Sequence, residues 1–118
     1  MPWLRIRLGA PGSRVNPLEG IVEFRSGATR VEILEEIVHV LQQGKSVGVR
    51  QVEQDLLTNW PVGRMGLDPC EIRAVATEVH AKSFLLRNAD LLELGKVDRY
   101  LLRKQIDRLR AQGRGGGY

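Results

Sequence analysis

The chain has a single cysteine, Cys70, among its 118 residues. One cysteine excludes an internal disulfide and any CxxC metal site. Aromatic residues make up only 5% of the chain, so a core must be built from leucine, valine and isoleucine. No apolar run is long enough to cross a bilayer, and the amino end lacks the hydrophobic stretch of a secretory signal. We therefore expect no membrane partner and no signal peptide in this chain.

The formal net charge is +4, and it is unevenly distributed. Residues 96–114 contain seven basic and two acidic side chains, which gives +5 and leaves −1 for the rest of the chain. The basic side chains are Lys96, Arg99, Arg103, Lys104, Arg108, Arg110 and Arg114. Such a segment could bind nucleic acid or an acidic partner protein. The alternative is the solvated face of a helix.

The amino-terminal part has the pattern of short strands. Residues 3–8 alternate in hydrophobicity before a Gly-Ala-Pro-Gly turn, and residues 20–25 form a second apolar run. Two short strands need helices to cover their apolar face. The sequence therefore predicts one α+β domain over residues 1–112, a short hairpin or small sheet packed by three to four helices. The glycine-rich residues 113–118 are predicted to be a flexible tail.

Local signals mark the first two predicted helices: capping residues for the first and a proline for the second. Thr29 and Glu32 have the spacing of a capping box, so a helix should begin near residue 30. Gly44 is a fitting stop for that helix. A second helix is predicted over residues 49–59, because the residue before a proline resists helical geometry and Trp60 precedes one.

The third predicted helix has the clearest start. Asp68, Pro69 and Glu71 match the preferences for the N-cap and for the first and third helical positions. Its apolar stripe predicts a helix that continues to residue 92 or 94. A last helix is predicted over residues 97–111.

Residues 35–39 read Glu-Glu-Ile-Val-His, the zinc-peptidase helix motif HExxH with glutamate in place of the first histidine. Glu35 and His39 share a helix face, so they could hold one metal ion while Glu36 acts as general base. Zn²⁺ is the expected ion, and Mn²⁺ or Fe²⁺ would also suit a carboxylate-rich site. The alternative is that these residues form the solvated face of an amphipathic helix.

A third metal ligand must come from another helix. The helix that begins near Pro69 offers Glu71, Glu78 and His80, and Glu71 already serves the capping box. Glu78 and His80 lie roughly 160° apart around a helix, so both cannot aim at one ion. We predict Glu78 as the third ligand, with His80 as its rival.

Two blocks of the chain resemble one family. Residues 25–42 are similar to the LEExxHxxQ segment of small bacterial domains that often end polymorphic toxins of the Rhs or contact-dependent type. Residues 78–88, beginning Glu-Val-His-Ala-Lys, resemble the EVHxK helix of the same domains. The resemblance implies a zincin-like metallopeptidase or another toxin effector. The resemblance implies that the family's functional positions correspond to Glu35, Glu36, His39, Gln42, Glu78 and His80.

The sequence thus favours a metal-dependent hydrolase of the zincin type, a toxin effector domain whose partner is a protein substrate or a cognate immunity protein. Its expected location is the cytoplasm, or delivery as part of a larger toxin. One alternative is a ribonuclease toxin, in which His39 and Glu36 do acid-base work and the basic residues 96–114 hold RNA. Another is a non-catalytic module for protein interactions.

Overall fold

The computed structural model describes the backbone of residues 5–10, 14–16, 21–25, 29–42 and 47–114, and the burial of side chains in the last two ranges. Its contacts divide the chain into two units, Met1–Gly44 and Lys45–Tyr118. Each unit is described by itself. The single-domain organisation over residues 1–112 stays a prediction.

The first unit begins with three short strands, β1 (Arg5–Ala10), β2 (Arg14–Asn16) and β3 (Ile21–Arg25). They are ordered β1-β3-β2, with β1 parallel to β3 and β2 antiparallel to it. The two strands predicted from the sequence correspond to β1 and β3, and their parallel pairing rules out a hairpin between them. Residues 3, 4 and 20 of the predicted strands lie outside the described residues.

Helix α1 (Arg30–Leu41) follows the strands and begins where the capping box predicts. The Thr29 hydroxyl oxygen accepts a hydrogen bond from the Glu32 backbone N–H at 3.2 Å. That bond satisfies one of the backbone donors that every helix leaves unpaired in its first turn. The predicted stop at Gly44 and the tail residues 115–118 lie outside the described residues.

The second unit contains helices α2 (Val47–Asn59), α3 (Pro69–Arg87) and α4 (Lys96–Gln112), with a short 3-10 helix (Pro61–Arg64) between α2 and α3. The start of α3 is confirmed, since the Asp68 carboxylate accepts from the Glu71 backbone N–H at 2.9 Å. The end of α2 before Pro61 is also confirmed. Helix α2 begins two residues earlier than predicted, and α4 extends one residue further at each end.

Helix α3 ends at Arg87, not at residue 92 or 94. The Asn88 side-chain amide donates to the carbonyl oxygen of Phe84 at 2.8 Å, and the chain then turns through residues 88–93. Ala89 and Leu94 are buried, but Leu91 between them is 82% exposed. The prediction was wrong because it took Gly95 as the end of the helix, whereas the Asn88 side chain ends it earlier.

Helices alone build the main core of the second unit. Its largest cluster of buried side chains draws on α2, the 3-10 helix, α3 and α4, and every member is aliphatic: Val49, Leu56, Val62, Val75, Ala76, Val79, Ile106 and Leu109. The apolar stripes of the helices are buried against each other, which is how a helical bundle stabilises itself.

The predicted α+β fold class is wrong. Residues 29–42 and 47–114 are 79% helical and contain no strand, so this part of the chain is all-α. The prediction required helices that pack on an amino-terminal sheet as their platform. In the second unit, over residues 47–114, the helices instead cover one another's apolar faces.

Candidate functional site

The polar side of α1 carries the residues predicted to hold a metal ion. Glu32, Glu35, Glu36, His39 and Gln42 are all half-buried. The predicted ligands therefore lie in a partly dehydrated environment. The alternative of a solvated helix face stays a prediction.

His39 is held in one orientation by a neighbour on its own helix. Its Nδ1 lies 2.8 Å from the Gln42 amide oxygen, three residues further along. Because an amide oxygen only accepts, Nδ1 is the donor in this contact, and the tautomer with its proton on Nδ1 has its lone pair on Nε2. Ligating histidines usually have this arrangement, in which an oxygen acceptor on one nitrogen orients the other toward the ion.

Glu35 and Glu36 complete the constellation on α1. Glu35 lies four residues before His39, so the two side chains share a face of the helix. Glu36 is the next residue and is turned about 60° from His39 around the axis. Glu35 and His39 therefore lie on one face of α1, and Glu36 lies beside that face.

Glu78, the predicted third ligand, belongs to α3 in the second unit. Its Oε2 lies 3.5 Å from the ammonium of Lys82, one helical turn further along. Lys82 is 7% exposed, and it is the only charged residue that is buried among the described side chains. A metal ion at Glu78 would have to compete with this ammonium for the carboxylate.

His80 packs in a different part of the second unit from Glu78. Its ring packs against α2 at Gly48, where an added Cβ would overlap the imidazole Nε2. Burial lowers the pKa of His80 below its ordinary value, and the positive charge of Arg87 lowers it further. Glu78 and His80 thus have different surroundings, as their spacing on a helix predicts.

The structure does not assemble a complete metal site from its described part. Among residues 29–42 and 47–114, no group of three or more His, Cys, Asp or Glu side chains is placed to hold a metal ion. Glu35 and His39 are brought to one helix face, and Glu78 lies in the other unit. The set of three ligands stays a prediction.

Sequence reasoning missed a polar cluster at the end of α2. Asp55 accepts from the Asn59 amide at 2.8 Å and from the Trp60 indole N–H at 2.7 Å. These two hydrogen bonds, with the charge of Arg110, lower the pKa of Asp55. The Arg110 guanidinium stacks 4.4 Å from the centre of the Trp60 ring. The only local sequence signal is the spacing of Asp55, Asn59 and Trp60, whereas Arg110 is fifty residues away.

The basic segment predicted to bind nucleic acid falls on α4 and divides into two groups. Five of its seven cations are exposed: Lys96, Arg103, Lys104, Arg108 and Arg114. Arg99 pairs with Asp90 at 2.8 Å and donates to the Leu94 carbonyl oxygen, and Arg110 packs on Trp60. No helix among the described residues is long and apolar enough to span a membrane.

Comparisons of the chain with models of known families, with curated proteins and with solved structures find no match.

Proposed function

We propose that this chain is a metal-dependent hydrolase of the zincin type, in which Glu35 and His39 are metal ligands and Glu36 is the general base. The observation that carries the proposal is the partial burial of all three side chains on the polar side of α1. Partial burial strengthens the interaction of carboxylate and imidazole groups with a cation, because less water competes for them.

The contact between His39 and Gln42 gives further support. With Nδ1 donating to the Gln42 oxygen, Nε2 is the nitrogen with the coordinating lone pair. One imidazole and one carboxylate are donors that Zn²⁺ accepts, and Mn²⁺ or Fe²⁺ would also fit such a set. The ion, when bound, would supply Lewis-acid activation of water.

The third ligand is proposed to be Glu78, with His80 as its rival. The neutral amide of a Glu78→Gln variant would keep the size of the side chain and remove its charge. We expect this variant to weaken metal binding more than His80→Ala does. The opposite order would assign the position to His80.

The biological setting is proposed from the resemblance of residues 25–42 and 78–88 to toxin domains. On that basis the chain is an effector that hydrolyses peptide bonds, and a cognate immunity protein is its expected partner. Unfolded casein is a suitable general substrate for testing this activity.

Elemental analysis of the purified full chain tests the proposal. We expect one equivalent of zinc, which His39→Ala and Glu35→Gln should remove. Glu93→Gln, at an exposed turn of the second unit, is the matched carboxylate control and should keep the metal. Glu36→Gln should also keep the ion but lose casein hydrolysis. A chain that binds no metal, or binds it equally well without His39, would contradict the proposal.

A ribonuclease toxin is the second candidate, and the four exposed cations of α4, with Arg114 just beyond its end, favour it. In that case His39 and Glu36 would act on a phosphodiester, and RNA binding would weaken steeply with salt. Metal-free chain that cleaves RNA, and loses the cleavage on His39→Ala, would establish this candidate in place of the first.

A further inference from the structure

A cavity of about 300 Å³ opens between α2, α3 and α4 within the second unit. The residues that line it from α2 and α3 include two sets with the same i, i+3, i+7 spacing: Gly48, Gln51 and Asp55 on α2, and His80, Ser83 and Arg87 on α3. This spacing keeps each set on one helix face. Two polar stripes thus border the cavity from neighbouring helices.

Gly48 determines how closely the two helices approach at one end. A Cβ at this position would overlap Nε2 of His80, so α2 and α3 are in tight contact there. A larger residue at position 48 would require the His80 ring to move. The longer side chains of the two stripes then surround an open space.

Helix α4 contributes Arg110 to the same cavity. The guanidinium stacks on Trp60, and its Nε is buried without a hydrogen-bond partner among the described residues. Buried polar atoms are nearly always hydrogen-bonded, so an unpaired donor inside a protein calls for an acceptor. No hydrogen bond joins Asp55 to this Nε in the described part of the chain; the Asp55 oxygens accept from Asn59 and Trp60.

The charges that line the cavity favour an anion. Arg87 and Arg110 contribute two positive charges and Asp55 one negative charge, which leaves +1. Arginine stays protonated at every physiological pH, so this charge does not depend on the imidazole of His80. The volume is at the lower end of the range for small-molecule sites and suits a compact ligand.

We propose that this cavity binds a phosphoryl group, with the guanidinium groups of Arg87 and Arg110 and the hydroxyl of Ser83 as donors. Arginine presents several N–H groups in a planar fork that matches the oxygens of a phosphate. A serine hydroxyl adds a donor that rotates to meet the remaining oxygen. None of these three donors is a proposed metal ligand, although His80, the rival third ligand, also lines the cavity.

The phosphoryl group could belong to a free anion or to the backbone of a nucleic acid. The exposed cations of α4 lie on the helix that carries Arg110, so a strand bound along α4 could place one phosphate in the cavity. Inorganic phosphate and a short single-stranded oligouridylate therefore serve as the two probes.

The indole N–H of Trp60 is a reporter next to the site, because it donates to Asp55 and its ring stacks on Arg110, and both residues line the cavity. We expect its NMR signal in the full chain to shift in a saturable way as one of the two probes is added. A Trp60→Phe spectrum assigns the signal. Saturation by phosphate identifies a free-anion site, and saturation by the oligouridylate alone identifies a nucleic-acid phosphate.

Three variants locate the binding. Arg87→Gln, at the exposed end of α3, and Arg110→Lys, which keeps the charge but loses the fork, should each weaken binding about tenfold. Arg108→Gln is the matched control, because its side chain points about 160° away from Arg110 around α4. It should leave phosphate affinity within about twofold, as expected for a distant surface charge.

No saturable shift with either probe would overturn the proposal. Equal weakening by Arg108→Gln and Arg87→Gln would also overturn it, because binding would then follow the net charge of the surface and not the cavity. Arg87→Gln removes an exposed side chain and should not unfold the chain, so its result stands even if Arg110→Lys proves unstable.

Discussion

Replacing Leu56 by alanine should destabilise the chain far more than replacing its neighbour Leu57. Leu56 is 0% exposed and belongs to the main core cluster, whereas Leu57, the next residue of α2, is 44% exposed. Leu→Ala removes three carbon groups, worth roughly 2.4 kcal/mol at about 0.8 kcal/mol each. A cavity left in a packed core raises the total to about 3–5 kcal/mol.

For Leu57 only about half of the side chain is removed from water, and no closed cavity forms. The expected loss is therefore roughly 1 kcal/mol. Urea unfolding followed by far-UV circular dichroism gives both free energies of unfolding. With an m value of about 2 kcal/mol/M, the two midpoints should differ by roughly 1–2 M.

Equal losses for the two variants, or a larger loss for Leu57→Ala, would refute the reasoning. Either result would mean that α2 is rotated differently about its axis, so that the face assigned to the core is not the buried one. The polar stripe of Gly48, Gln51 and Asp55 would then also be displaced, since it lies on the same helix.

Three further predictions concern single contacts. Asp68→Ala removes the N-cap of α3 and should lower the free energy of unfolding, measured by urea titration, whereas Asp68→Asn, which keeps a capping oxygen, should lower it less. Asp55 has a lowered pKa in the folded chain, so its contribution to stability is present above its ordinary pKa and is lost as the pH falls through the lowered value. Urea unfolding at a series of pH values should show this loss in the natural chain and a smaller one in Asp55→Asn. Gln42→Ala removes the hydrogen bond to Nδ1 of His39 and should weaken zinc affinity about 10–100-fold in a chelator competition. An unchanged affinity would show that Gln42 does not position His39 for the metal ion.

Local capping chemistry made the helix starts predictable. Thr29 and Asp68 each accept the backbone N–H three residues ahead, and both bonds follow from sequence spacing alone. The end of α3 was less predictable, because Leu91 and Leu94 continue the apolar composition beyond Arg87 without continuing the helix. Composition does not distinguish buried from exposed leucines, and packing decides between them.

The fold class was predicted wrongly for a related reason. Alternation in residues 3–8 indicates a strand, but it does not say which surface the helices use as their core. In the second unit, residues as distant as Val49 and Leu109 meet in one cluster. Such long-range pairings are not encoded in any local pattern.

The two candidate sites also differ in how far the sequence alone predicts them. Glu35 and His39 were found because their spacing on one helix is visible in the sequence. The cavity was missed because Arg110 reaches Trp60 and Asp55 only through the packing of α4 against the rest of the unit. The stripe of His80, Ser83 and Arg87 has a helical spacing, but without its partner on α2 it resembles any polar helix face.

X-ray absorption spectroscopy at the zinc edge of the full chain, loaded with one equivalent of Zn²⁺, tests the proposed metal centre most directly. The account predicts scattering from an imidazole that disappears in His39→Ala and persists in Arg108→Gln. A spectrum that is unchanged in His39→Ala, or an ion that shows only water ligands, would contradict it.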